Sequence, residues 1–132
     1  MTAPYLSAMP LHWTVQSNLK LVTVVCEGDV DRSDVEAYLA MVNGANIVDW
    51  RKLFDARTAR PTFTVEDVNE IGVRIRTADA VRTVGPLAFV MPQAPSPELM
   101  RLLGFLAAAK RPMRIFNELA PARKWIMTVA TE

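Results

Sequence analysis

Residues 51–66 read RKLFDARTARPTFTVE, and they fix the character of the chain. Lys52 to Asp55 is a short, mainly apolar strand. Asp55 to Thr64 is a polar loop carrying Arg57, Thr58, Arg60 and Thr62. Thr64, with Asp67 three positions on, has the spacing of a capping box, in which a hydroxyl and a carboxylate satisfy the first free N–H groups of a helix. Val68, Ile71, Ile75 and Ala78 then recur at helical spacing as an inward stripe, with Glu70 and Arg74 paired on the outer face. A strand that hands over to a helix in this way is half of a βαβ unit.

The same alternation repeats outward. Upstream, LHWTVQ alternates apolar and polar positions and passes through Ser17 and Asn18 into LKLVTVVCEG, an antiparallel hairpin. The following DVDRSDVEAYLAMVNG predicts a helix with Ser33 and Glu36 as capping box, Val35, Leu39 and Val42 facing inward, and Gly44 as terminator. Trp50 packs beneath the next loop. Downstream, PLAFVM is a continuous apolar run, as in a strand covered on both faces. Ser96, Pro97 and Glu98 start a third helix. MRIF is a fifth strand, and a last helix covers about Leu119 to Met127 with Pro121 in its first turn. The fold class is α/β, with a mixed five-stranded sheet, its first strand antiparallel and the rest mainly parallel, about four helices and right-handed crossovers. Residues 1–10 read as an irregular arm and 11–132 as a single domain.

The chain has 132 residues, 51% of them hydrophobic and 22% charged, which suits one folded domain rather than a disordered segment. Fifteen basic and fourteen acidic residues leave a formal charge of +1, so no global field favours nucleic acid or an anionic membrane. The single cysteine, Cys26, excludes an internal disulfide and a multi-cysteine metal site, fits a reducing compartment, and reads as an inert buried thiol. MTAPYLSAMPLHW has neither a basic n-region nor a sustained apolar h-region, so a secretory signal is not expected, and the runs LAFVMP and LLGFLAAA fall far short of the roughly 20 apolar residues of a membrane span. These features predict a cytoplasmic protein.

In open α/β sheets ligands gather beyond the carboxyl ends of the strands. The loops there are Gly28 to Ser33, Asp55 to Thr64, Pro92 to Ser96 and Asn117 to Ala120. The second is the richest, so the candidate ligand-binding set is Asp55, Arg57, Thr58, Arg60, Thr62 and Thr64, with the helix N-terminus able to hold a phosphate or carboxylate. Against this stands the plainer reading that the arginines are solvated and the threonines only cap and turn. Asp29, Asp31 and Asp34 lack the glycine and glutamate of a calcium loop. His12, the sole histidine, lies in the first strand away from this edge. No phosphate loop, metal motif or nucleophile elbow occurs, and neither a cofactor nor catalysis is expected. The third helix is apolar around much of its circumference through Leu99, Met100, Leu102, Leu103, Phe105, Leu106 and Ala108. That surplus goes to the core, to a cavity or to a partner such as a second copy.

The series KLFDAR, TVEDV, GPLAFVMP, an apolar helix and RPMRIFNELAPARKWI resembles the SpoIIAA-like branch of the STAS superfamily over residues 12–127. The resemblance implies a mixed sheet with packed helices, in a family whose best-known members are non-enzymatic bacterial regulators that antagonise anti-sigma factors. Those members carry Asp-Ser-Ser/Thr-Gly at the second helix, with a phosphorylated hydroxyl. Here the region reads PTFTVED, with Thr62 and Thr64 nearest in place. Similarity of this branch to lipid-carrier folds further implies an apolar ligand and peripheral membrane contact. The function expected is a non-catalytic module for a small amphipathic or anionic, lipid-like ligand at the carboxyl edge. The alternative is a protein-interaction regulator without the usual phosphoserine motif.

Overall fold

A computed structural model describes residues 10–81, 84–108 and 111–129. The expected irregular arm lies outside the described residues except for Pro10, whose carbonyl accepts from Glu27 N at 2.8 Å.

Five strands, β1 (Leu11–Gln16), β2 (Leu21–Val30), β3 (Arg51–Pro61), β4 (Leu87–Val90) and β5 (Met113–Phe116), lie in their chain order across one sheet. β1 pairs antiparallel with β2 and all other neighbours pair parallel, as the alternation of strands and helices requires. The helices are α1 (Arg32–Gly44), α2 (Val65–Val81), α3 (Pro97–Ala107) and α4 (Leu119–Thr128). Every crossover steps the same way, so α1, α2 and α3 share one face. Their Tyr38, Val42, Val68, Ile71, Leu99, Leu102 and Leu103 form the main core with Val22, Val24, Cys26 and Phe89. α4 lies on the other face, packing Ala122 and Ile126 against Leu21, Leu53, Ala88 and Val90. It covers β3 to β5 and Leu21 at the start of β2; elsewhere on β1 and β2 the same face presents His12, Thr14, Gln16 and Glu27 to solvent.

Local chemistry accounts for the helix starts. Thr64 and Asp67 form the predicted reciprocal box, each backbone N–H donating to the other's side chain at 3.0 Å. Ser96 Oγ accepts from Leu99 N at 3.1 Å. In α1 the cap is Asp31 rather than Ser33: Asp31 Oδ1 accepts from Asp34 N, and Asp34 Oδ2 accepts from Asp31 N. A carboxylate does this better than the hydroxyl two residues later, which donates to Asp31 instead. Gly44 is the last residue of α1; the left-handed backbone falls at Asn46 (φ 59). Pro121 sits in the first turn of α4, where its missing N–H would have had no helical partner.

The largest departure from expectation is β3. The segment after Asp55, read as a loop, continues as strand to Pro61, paired with β2 from Glu27–Thr58 through Val30–Pro61. The register shifts between Val25 and Glu27. Two steps on β2 match three on β3, which is a bulge that admits one extra residue without ending the ladder. Helix α3 differs in a second way: Leu99, Leu102 and Leu103 are buried, while Met100 is 48% exposed. Its apolar surplus goes mainly to α2. Phe105 lies over Gly72, where an added Cβ would come within 2.8 Å of the ring, and the Arg76 guanidinium lies over the same ring, 5.3 Å from its centroid.

Candidate functional site

The bulge decides which way the residues after Asp55 turn. Asp55 shares the face of Leu53, and Arg57 closes back on it, donating from Nε and Nη2 at 2.8 Å to the two carboxylate oxygens. This bidentate contact holds the Asp55 carboxyl below the usual range, against a smaller opposing effect of burial. Thr58 Oγ1 donates to Cys26 O at 3.3 Å, Arg60 Nε to Asp29 Oδ1 at 2.9 Å, and Thr62 Oγ1 to Val30 O at 3.2 Å. Thr64 is the helix cap. All six candidate residues are therefore engaged in intramolecular bonds. The residues that alternate with them, Ala56, Ala59, Pro61 and Phe63, face a cavity on the side of α1 to α3.

That cavity, about 170 Å³, is bounded by the sheet, α1, α2 and α3. Its walls are apolar: Val35, Leu39 and Val42 from α1, Ile71 and Ile75 from α2, Leu99, Leu102 and Leu106 from α3, and Leu11, Phe54 and Phe89 from the sheet. Polar side chains enter at the amino end of the parallel strands, where Asn43, Lys52 and Arg111 join the lining. Lys52 is 5% exposed, and its ammonium donates to the carbonyls of Ile47, Val48 and Trp50. Burial, helped by the nearby Arg111 cation, pulls its pKa down to about 7. Arg111 Nη1 donates to Gly85 O at 3.3 Å. Gly85 is required at this spot: its N–H donates to Val48 O, and a Cβ would strike the carbonyls of Trp50 and Asp49.

Tyr38, also 5% exposed, is the polar group within the walls. Its ring meets Phe54 edge to face at 5.1 Å, and Phe54 stacks on Phe89 at 6.0 Å. Its hydroxyl has no hydrogen-bond partner among the described residues. Burial pushes the phenol well above its usual pKa although Arg111 opposes the shift, so the group stays a protonated donor. The sequence signal for Tyr38 is its spacing, since Val35, Tyr38, Leu39 and Val42 continue a single helical stripe.

Across the outer side of α1 and α2 four charges interlock. Arg32 donates to Glu36 at 2.9 Å and pairs with Glu70 at 2.8 Å; Arg74 approaches Glu36 at 3.6 Å. Glu70 and Arg74, expected to pair along one helix, thus each reach across to the other helix.

Cys26, His12 and Asp31 each have a separate structural setting. Cys26 is buried, its pKa raised to about 12 by burial and by Asp55. His12 meets Glu27 at 3.4 Å on the open face of the sheet. Asp31 caps α1. Among the described residues no group of His, Cys, Asp and Glu is arranged to hold a metal, and no helix is long and apolar enough to cross a membrane. No family model and no curated protein matches the chain.

Proposed function

We propose that this domain is a non-catalytic, cytoplasmic binding module that takes a small amphipathic anion into the cavity beneath α1 and α2, rather than onto the strand-end residues Arg57 and Arg60. The observation that carries the reading is the cavity itself: apolar walls that include Arg111 and Tyr38, the Tyr38 hydroxyl being buried and without a hydrogen-bond partner among the described residues. A few convergent polar groups in an apolar concavity are the usual composition of a small-molecule site. The strand order and the single antiparallel edge support a SpoIIAA-like fold. The free buried cysteine supports a reducing compartment. Neither Thr62 nor Thr64 has a feature that favours a phosphorylation switch, since both hydroxyls already bond to backbone.

The test is a thermal-shift and native mass-spectrometry panel of acyl and aryl anions. A ligand held at a hundred times its Kd stabilises the native state by about 2.7 kcal/mol, which moves the melting point by several degrees. Arg111→Gln should weaken that effect, and Arg57→Ala should leave it intact. A panel in which no anion is retained or shifts the transition removes the reading.

A further inference from the structure

The dimensions of the cavity narrow the ligand class, given the binding reading above. A cavity of about 150 Å³ lined by Leu, Ile and Phe stays dry and takes up a benzene ring; the one here is about 170 Å³. A lipid acyl chain would need a site several times larger, in the range of roughly 300–1,000 Å³ typical of larger ligands. The walls also carry aromatic character at one level, with Tyr38, Phe54 and Phe89 in successive edge-to-face and stacked contact. A ring placed beside them would meet both edges and faces, the arrangements that aromatic pairs prefer.

The Tyr38 hydroxyl supplies the second half of the argument. A buried hydroxyl without a partner is costly, and this one belongs to a side chain that lines the cavity. It is a donor, since burial keeps its proton on, and Arg111 is close enough to act on it electrostatically. A phenol donor and a guanidinium that line one cavity suit a carboxylate, which accepts from both and loses less on leaving water than it would beside a lone donor. Lys52 does not compete for this role, because three backbone carbonyls already take its protons.

We infer that the cavity selects a compact aryl-alkyl monocarboxylate, its ring against Phe54 and Phe89 and its carboxylate held by the Tyr38 hydroxyl and Arg111. Calorimetric titration of the full chain with 3-phenylpropanoate, 3-phenylpropanamide and hexadecanoate tests it. The acid should bind more tightly than the amide, and hexadecanoate should not bind. Tyr38→Phe should lower affinity for the acid roughly tenfold or more, as expected for a lost hydrogen bond to a charged group, and change the amide much less. Because this variant only deletes an unpartnered buried oxygen, its melting point should equal or exceed that of the parent, so weaker binding would not reflect unfolding. Uptake of hexadecanoate without the aryl acid overturns the size assignment while leaving an anion-binding module standing. Unchanged affinity in Tyr38→Phe overturns the anchor. Failure of every anion removes both this inference and the function on which it rests.

Discussion

Lys52 shows how one side chain can tie pH to folding in this domain. Its native pKa is near 7, whereas the unfolded chain returns it to about 10.4. Between those values the unfolded state holds a proton that the native state lacks, so stability rises with pH across that window. The contribution is fully present above about 10.4 and gone below about 7. The slope from this group is at most about 1.4 kcal/mol per pH unit. Chemical denaturation of Lys52→Met at pH 7 and pH 9.5 should show that slope lost. At Asp55 the sign favours the ionised form: its native pKa is lowered by Arg57, so its stabilisation persists at neutral pH and fades on acidification below the normal carboxylate range. Asp55→Asn should cost about 1 kcal/mol at pH 7, a modest figure because Arg57 is half exposed, and denaturation at successively lower pH should show that cost shrinking as the native carboxyl takes up its proton. The sequence announced Thr64 and Ser96 clearly, because a cap is a local bargain between neighbours. It did not announce Lys52 or Tyr38, whose surroundings are assembled from the 47–50 loop, β3, α1 and the segment before β5.

In β3 the local residue pattern and the strand pairing point different ways. KLFD satisfies a strand by itself, and the arginines and threonines that follow look like loop residues until Ala56, Ala59 and Pro61 are seen to alternate with them against the cavity. The bulge hides that alternation, since one extra residue breaks the period of two. By contrast PLAFVM and MRIF were legible because their pairing is regular. Helix α2 carries a comparable subtlety at Gly72. Glycine within a helix normally costs about 1 kcal/mol relative to alanine, yet here Phe105 occupies the space a Cβ needs. Gly72→Ala should therefore lower stability by about 1 kcal/mol, the crowding outweighing the propensity gain, whereas the same change at Gly44, where a Cβ meets nothing, should not. Paired urea titrations of the two variants check the contrast.

For the whole molecule, the sheet separates two populations of apolar side chains: the large cluster under α1, α2 and α3 surrounds the cavity, and the smaller one packs under α4. Ile126 is fully buried in the latter. Ile126→Ala should cost about 2–5 kcal/mol, which urea denaturation of the variant beside the parent would show. The fold class was legible because strand and helix periods alternate along the whole chain; the hollow was not, since a void is a property of how three helices fail to meet. Above it, α1 and α2 are drawn together by Arg32, Glu36, Glu70 and Arg74, all partly in water. Attraction of that kind is screened by dissolved ions, while the apolar walls below are not weakened in the same way. Raising sodium chloride to molar levels should thus loosen the contact between α1 and α2, read as faster amide hydrogen exchange in those two helices, with little loss of global stability: ionic strength would act on the roof and leave the foundations alone.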